Sequence, residues 1–288
     1  IDGKKIGRQE SLCTPHIYDL NEYIGTGVHE MTICVSNVGY KTKGGHLTSP
    51  DTQTNWNGIT GRIELIGYKN AHAENVMLWC DIHNKTVRVT ANITGGKSGK
   101  AVISAESFNS ERSHTPEVQS FEYTNGKLDA LYKMGDDCLL WSEHEPNLYK
   151  LKIDIDGDVS EHIIGMREFR TEGGKFTING EKTFLRGKHD GMIFPKTAFA
   201  PTDLEEWLRI MKISKSYGMN HYRYHTCCPP EAAFVAADML GIYMEPQLPF
   251  WGTITEEGEE NHNQEEQDFL VEEGFNMLKF FGLSLIHI

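Results

Sequence analysis

Three short apolar segments in the second half of the chain each end in polar side chains that could bind a ligand or transfer a proton. These side chains belong to His189, Asp190, Arg223, His225, Glu245 and Gln247. Because side chains alternate between the two faces of a strand, His221, Arg223 and His225 share one face. A charged arginine on the inner face of a strand needs a carboxylate or a ligand as its partner. The pattern therefore predicts a polar binding site.

The three apolar segments are predicted to be strands that alternate with helices. They cover residues 183–185, 220–225 and 242–245. Between the first two, a capping box formed by Thr202 and Glu205 predicts the start of a helix. The apolar side chains at positions 204, 207, 208 and 211 recur at helical spacing, which predicts one buried stripe. Gly218 is expected to end this helix in a left-handed conformation.

A second helix is predicted between the second and third strands. The adjacent prolines 229 and 230 favour its start, since a proline in the first turn loses no helical hydrogen bond. Two successive strand-helix-strand units predict a parallel sheet with right-handed crossovers, as in a doubly wound sheet or an eight-stranded barrel. In both folds the functional site lies at the carboxyl ends of the strands. No glycine-rich nucleotide-binding pattern follows any strand, so the barrel is favoured.

The first 172 residues have the alternating pattern of antiparallel β-structure. Residues 67–172 contain alternating segments such as 85–93 and 148–155, separated by glycine turns and without a helical pattern. This predicts a sandwich of immunoglobulin type, with Trp141 in its core. Residues 1–66 are predicted to form strands joined by polar turns, for example around 33–35 and 62–65.

Composition excludes some classes of function. A chain of 288 residues is long enough for about two domains. The net charge of −13 disfavours binding to nucleic acid or to an acidic membrane, because phosphate contacts need a basic surface. No apolar run approaches the length that spans a bilayer. The acidic run at 256–273 is interpreted as a solvated loop and helix face.

Cysteine and histidine spacing leaves two metal-site alternatives open. The six cysteines are spread along the chain without the spacing of metal ligands. A zinc site formed by His221, His225 and Cys227 is one alternative to simple packing of these thiols. A metal-dependent hydrolase centred on His189, His221 and His225 is another. The favoured interpretation contains no metal and no other cofactor.

Three motifs in the second half resemble glycoside hydrolase family 2, which includes β-galactosidases, β-glucuronidases and β-mannosidases. They are FTINGEKTFLRG at 176–187, MNHYRYH at 219–225 and DMLGIY at 238–243. The resemblance extends over nearly the whole chain. It implies the C-terminal half of a jelly-roll sugar-binding domain at 1–66, an immunoglobulin-like sandwich at 67–172 and the first part of a TIM (β/α)8 barrel at 173–282. Residues 283–288 fit no barrel element and are expected to be a non-native tail.

The resemblance also implies roles for individual residues. His189 and Asp190 match positions that contact the sugar, and Arg223 matches an arginine that pairs with the catalytic nucleophile. His225 departs by one position from the family pattern but remains a predicted sugar ligand. Glu245 and Gln247 match positions that shape the site or help to hold a metal, and the neutral Gln247 weighs against a metal. Asn55 and Trp251 are further predicted contacts, although a turn residue and a packed loop aromatic are the alternatives.

The resemblance places both catalytic glutamates of the family beyond the last barrel unit of this chain. The chain is therefore expected to be a fragment of a retaining, β-galactosidase-like exo-β-glycosidase, which hydrolyses terminal β-linked sugars in carbohydrate metabolism. The fragment itself is expected to be inactive. Its expected partner is an oligosaccharide or glycoside, with neither nucleic acid nor a membrane, and a homo-oligomer of the full-length protein is a further expectation. The alternative is a non-catalytic carbohydrate-binding protein. The opening residues contain neither an initiator methionine nor a signal peptide, so no compartment is predicted.

Overall fold

The computed structural model describes residues 1–36, 38–49 and 58–282. These residues form thirteen strands and three helices. In chain order they are β1 His72–Asp81, β2 Thr86–Thr94, β3 Ser98–Ser107, β4 Gln119–Thr124, β5 Lys127–Lys133, β6 Tyr149–Ile155, β7 Asp158–Ile164, β8 Phe169–Glu172, β9 Lys175–Ile178, β10 Glu181–Thr183, β11 Gly187–Asp190, α1 Leu204–Ser216, β12 His221–Tyr224, α2 Glu231–Leu240, β13 Tyr243–Glu245 and α3 Gln264–Phe281. No helix in the described part of the chain is both long enough and apolar enough to cross a bilayer.

Strands β1 to β7 form one antiparallel sheet in the order β1-β2-β5-β4-β3-β6-β7. β4 and β5 are joined by a hairpin at Asn125 and Gly126, both with positive φ, and share one residue pair, Thr124 with Lys127. The sheet therefore divides there into two halves, whose inward side chains form one core. In β6, alternate residues from Tyr149 to Ile155 are buried, as the period of two requires. The antiparallel strands predicted within residues 67–172 are thus confirmed, and Trp141 is fully buried.

A small antiparallel sheet, β10-β9-β8, lies between the large sheet and the parallel one. The prediction of the first parallel strand at 183–185 is wrong, because that strand is β11, which begins at Gly187. Phe184 in the predicted segment is 75% exposed. The short apolar run was misleading because the Phe184 side chain is exposed and the run pairs with no parallel strand, whereas the residues after it pair with β12.

Strands β11, β12 and β13 form a parallel sheet in that order, with α1, α2 and α3 along the chain between and after them. The predicted alternation of strands and helices is confirmed. Gly218 and Gly241 have φ values of 80° and 71°, as expected for left-handed residues at helix ends. The capping prediction is off by one residue. Asp203, and not Thr202, caps α1, and its Oδ1 accepts from the Glu206 N–H at 2.9 Å.

The core of the α/β part lies between the parallel sheet and its helices. Trp207 and Met211 of α1 are fully buried there, which confirms the predicted stripe. Tyr222 and Tyr224 of β12 point into the same core, and the Tyr222 hydroxyl lies 2.5 Å from the Ser214 Oγ. Alternation along β12 therefore leaves Arg223 on the opposite face of the sheet.

The described residues before His72 contain no strand, so the strands predicted around 33–35 and 62–65 are wrong. Ile33, Ile63 and Leu65 are each at least half exposed, at 52%, 68% and 69%. An alternating pattern forms a strand only where a neighbouring strand and a facing layer are present, and none among the described residues covers these side chains. Asn55 and the tail at 283–288 lie outside the described residues.

A buried carboxylate joins the large sheet to the parallel sheet. Glu143, in the loop before β6, accepts hydrogen bonds from Arg186 Nη2 at 2.8 Å and from Asn220 Nδ2 at 2.7 Å. The Thr183 hydroxyl donates to its other oxygen at 3.0 Å. Its side chain is only 8% exposed. Burial opposes ionisation, but these hydrogen bonds outweigh it and hold the Glu143 pKa below its usual value.

Candidate active site

His189, Arg223 and Glu245 lie in one row across the carboxyl ends of the parallel strands. His189 of β11 pairs in register with Arg223 of β12, which in turn pairs with Glu245 of β13. Residues in register on neighbouring parallel strands present their side chains to the same face. The row is therefore a direct product of sheet register, and it lies on the face away from Tyr222 and Tyr224.

Arg223 is at the centre of this row and has a partner on each side. Its Nη1 lies 3.4 Å from His189 Nδ1, and its Nε lies 3.5 Å from Glu245 Oε1. Its Nη2 donates to Gln247 Oε1 at 3.1 Å. The side chain is 37% exposed. The expected carboxylate partner is thus present, and the guanidinium remains partly exposed to solvent.

Gln247 orients both charged groups of the row. Its Oε1 accepts from Arg223 and also from the backbone N–H of Thr226 at 3.0 Å. Its Nε2 donates to Glu245 Oε1 at 3.3 Å. A neutral amide can accept from a cation and donate to a carboxylate at once, which a second carboxylate could not do. Gln247 therefore positions Arg223 and Glu245.

Asp190 does not join the row, although it was predicted to contact a ligand with His189. Alternation along β11 places it on the opposite face, in register with the buried Tyr224. It is 7% exposed, its Oδ1 accepts from the Met192 N–H at 2.7 Å, and its Oδ2 pairs with Lys188 Nζ at 2.9 Å. Asp190 thus holds the turn after β11.

His225 lies just beyond β12, and three other rings surround it. Its ring centroid is 4.8 Å from that of Trp251, 5.0 Å from that of His189 and 5.1 Å from that of His46. Burial, reinforced by the neighbouring histidines and Arg223, lowers the pKa of His225, so the ring is neutral at pH 7. Its Nδ1 is buried and makes no well-formed hydrogen bond to any residue that the structure describes. Trp251 is 66% exposed and contributes an open aromatic face.

His221 lies at the base of the site. Its Nε2 is 3.3 Å from Glu245 Oε2 but is not aligned for a hydrogen bond. Burial lowers its pKa, although the Glu245 carboxylate opposes the shift. Gly187 is required beside it, because a Cβ there would lie 2.6 Å from His221 Nδ1.

The two metal-site alternatives receive no support from the geometry. Within the residues described, no group of three or more histidine, cysteine or acidic side chains is arranged to hold a metal ion. The thiol of Cys227 is fully buried in the core with the helices, where burial raises its pKa. It therefore does not face His225.

His46 is the member of the cluster that sequence reasoning missed. It comes from the N-terminal part of the chain, and its backbone N–H donates to the Thr226 hydroxyl at 2.9 Å. Its place beside His225 depends on a contact between residues 180 positions apart, for which no local pattern exists. The two adjacent glycines before it, Gly44 and Gly45, are the one signal that another backbone approaches closely.

Comparisons with known proteins agree on one family. Residues 71–167, which contain β1 to β7, match the family model described as "Glycosyl hydrolases family 2". The β-galactosidase of Thermoanaerobacter pseudethanolicus is 25% identical over 91% of this chain and 36% of its own length. The β-galactosidase of Leuconostoc mesenteroides is 22% identical over 85% of this chain and 25% of its own.

Solved structures have a similar fold. Bacteroides uniformis β-glucuronidase 3 superposes with a TM-score of 0.58 at 22% identity, over 76% of this chain and 27% of that one. Parabacteroides merdae β-glucuronidase gives 0.56 at 17% identity, over 77% and 28%. The chain spans about a quarter to a third of the length of the relatives it matches. Residues 71–167 therefore match glycoside hydrolase family 2, and the chain as a whole is similar to β-galactosidases and β-glucuronidases.

Proposed function

We propose that this chain forms part of the sugar-binding cleft of a retaining exo-β-glycosidase that acts on terminal β-linked sugars. The observation that carries the proposal is the row of His189, Arg223 and Glu245 at the carboxyl ends of parallel strands. Gln247 orients this row, and the rings of His225 and Trp251 flank it. Hydroxyl-binding polar groups beside an exposed aromatic face are the chemistry that recognises a sugar.

The fold supports a division into domains that we also propose. In the large sheet, β1-β2-β5 on one side and β4-β3-β6-β7 on the other support the assignment of residues 67–172 to an immunoglobulin-like sandwich. The alternating units from β11 to α3 have the order of the first part of a TIM barrel within residues 173–282. We assign residues 1–66 to a sugar-binding jelly roll on the family relationship alone.

The carboxylates of the described site are suited to positioning and not to bond cleavage. A retaining glycosidase needs two carboxyl groups about 5 Å apart, one as acid and base and one as nucleophile. Asp190 is on the far side of the sheet, and Glu245 is held by Arg223 and Gln247. We therefore assign no catalytic residue among the described positions. The proposed role of Arg223 is to hold the anionic nucleophile of the complete enzyme and to line the sugar site.

Binding of a sugar lactone by the 288-residue chain tests this proposal. Galactono-1,4-lactone and methyl β-galactoside are titrated with ligand-observed NMR, and methyl β-glucuronide is included because glucuronidases have the same fold. Arg223→Ala is expected to weaken binding about tenfold, as for loss of a hydrogen bond to a charged group. Arg88→Ala, an exposed arginine of β2 paired with Asp129, is the matched control and leaves binding unchanged.

Three results bear directly on the alternatives. Absence of binding to all three sugars would refute a sugar site. Turnover of an aryl β-galactoside by the chain alone would refute the assignment of catalysis to residues outside the described site. Binding without turnover is the expected result. It would equally fit the second candidate, a non-catalytic carbohydrate-binding protein. The lack of a free carboxylate pair among the described site residues favours that candidate. Activity of the longer enzyme separates these two.

A further inference from the structure

The row of His189, Arg223 and Glu245 depends on a strand register that alternation alone does not fix. The three parallel strands are only four, four and three residues long. A slip of one residue would turn the buried Tyr222 and Tyr224 to the other face, so burial opposes it. A slip of two residues keeps every side chain on its own face and moves it about 7 Å along the neighbouring strand. Such a slip would separate Arg223 from its partners, and burial does not prevent it.

Asn220, the residue before β12, joins the amino ends of the three strands. Its backbone N–H donates to the Arg186 carbonyl at 3.1 Å, and its Oδ1 accepts from the Arg186 N–H at 2.7 Å. Its own carbonyl accepts from the N–H of Tyr243, the first residue of β13, at 2.8 Å. Arg186 and Asn220 are separated by 34 residues, as are His189 and Arg223. The hydrogen bonds of Asn220 therefore select the register in which the row forms.

The Asn220 side chain is held in one orientation. It is only 1% exposed, and its Nδ2 donates to the Phe184 carbonyl at 3.0 Å and to Glu143 Oε2 at 2.7 Å. Arg186 Nη2 donates to the same Glu143 oxygen at 2.8 Å, which closes a ring of hydrogen bonds. A flipped amide would direct its oxygen at two acceptors. The Oδ1 atom is therefore fixed toward the Arg186 N–H.

These hydrogen bonds act on the row from the opposite end of the strands. Arg223 follows Asn220 by three positions, as His189 follows Arg186, and three strand residues span about 10 Å. Within the row, Arg223 lies 3.4 Å from His189 and 3.5 Å from Glu245. Contacts of that length between partly exposed groups contribute little to stability. The row therefore depends on the register set at the amino ends and does not create it.

We propose that Asn220 is a positioning residue that sets the register of the parallel sheet and thereby holds Arg223 beside Glu245 in the sugar site. The inference rests on the proposed function and adds to it a residue outside the cleft. Asn220 does not touch the sugar. Its effect on binding passes through Arg223, which distinguishes it from a residue that only supports folding.

The first test measures the affinity for galactono-1,4-lactone by ligand-observed NMR. Asn220→Ala removes the side-chain hydrogen bonds and leaves those of the backbone. It is expected to weaken binding about five- to tenfold, which approaches the loss expected for Arg223→Ala. In the Arg223→Ala background, the same change is expected to weaken binding less than about twofold, because the group that Asn220 positions is already absent.

Asn179→Ala is the matched control for a purely structural loss. Asn179 Oδ1 accepts from the Glu168 N–H at 2.9 Å, and its Nδ2 donates to the Trp141 carbonyl at 2.9 Å. Its φ of 52° adds backbone strain to the alanine variant. Asn179→Ala is therefore expected to lower the thermal unfolding midpoint without changing the affinity for the lactone. All titrations are made at a temperature at which circular dichroism shows the variants to be folded.

The second test does not need a sugar. The Arg223 Nε–H group lies beside Glu245, so its proton–nitrogen NMR signal reports on their relative position. The signal is identified by its absence from Arg223→Ala. It is expected to shift in Asn220→Ala and to stay in place in Asn179→Ala. Asn220→Ser, whose hydroxyl can satisfy one of the buried partners, replaces Asn220→Ala in both tests if the alanine variant does not fold.

The outcomes separate the two proposals. If the wild-type chain binds no sugar, the proposed function fails, and the Arg223 signal alone decides the positioning role. If the wild-type chain binds the lactone and Asn220→Ala binds it equally well, the positioning role is refuted while the sugar site stands. Equal losses of affinity with and without Arg223 would also refute it, because Asn220 would then act independently of Arg223. Failure of both Asn220 variants to fold would refute a role distinct from folding.

Discussion

The junction carboxylate Glu143 gives the sharpest prediction about stability. Replacing it with alanine removes the acceptor of three hydrogen bonds, from Arg186, Asn220 and Thr183. The two bonds from neutral donors contribute about 1 kcal/mol each, and the bond from the charged guanidinium contributes about 1.5–3 kcal/mol. The expected loss in the free energy of unfolding is therefore about 3.5–5 kcal/mol, which lies within the range of about 3–5 kcal/mol for breaking a buried ion pair by removing one partner.

Urea unfolding followed by tryptophan fluorescence measures this loss, since Trp141 lies two residues away in the same junction. Glu145→Ala is the matched control, because Glu145 is exposed and, among the residues that the structure describes, only its backbone is hydrogen-bonded. The control should change the free energy of unfolding by less than about 0.5 kcal/mol. A cost below about 1 kcal/mol for Glu143→Ala would show that the three contacts do not hold the two sheets together.

Two further predictions concern pH and a helix end. Burial lowers the pKa values of His221 and His225. As the pH falls below about 6.5, these histidines therefore become protonated in the unfolded chain before they do in the folded chain. The free energy of unfolding has its full value above that pH and declines below it. Thermal unfolding at constant ionic strength should give a lower midpoint at pH 5.5 than at pH 7.5, and a flat or rising midpoint would contradict this reasoning. Gly241→Ala is expected to lower the free energy of unfolding by at least about 3 kcal/mol, because two effects combine. Alanine is strained at the φ of 71°, and its Cβ would lie 2.7 Å from the Glu143 carbonyl oxygen. Gly157 has a φ of 85° and open space around it, so Gly157→Ala should lower the free energy of unfolding only by the backbone strain of about 1–2 kcal/mol. Equal losses for the two variants in denaturant unfolding would show that the contact with Glu143 makes no contribution.

Local signals were enough to predict the alternation of strands and helices in the second half of the chain. Gly218 and Gly241 take the left-handed conformation because glycine lacks the Cβ that opposes it, whatever packs around them. The period of two placed Arg223 opposite Tyr222 correctly, since alternation is a property of the strand itself. The same rule, applied to His189 and its neighbour Asp190, would have separated these two residues as the structure does.

Predictions failed where a pattern needs a partner from elsewhere in the chain. The alternating residues around Ile33 and Ile63 form no strand, because no described strand lies beside them to supply hydrogen bonds. The start of the first parallel strand was misplaced because Phe184 is apolar but exposed, and burial depends on what packs against a residue.

The sequence by itself determined which residues could form a site, and it placed them at the carboxyl ends of the predicted strands. This was possible because helix caps, glycine conformations and strand alternation depend on neighbours along the chain. Only the tertiary structure decided that His189, Arg223 and Glu245 share one row, because strand register is set by packing between elements. It also decided that His46 joins them, through glycines that let two distant backbone segments approach to contact distance. Contacts across such separations leave no periodic trace in a sequence, so they become visible only when the chain is folded.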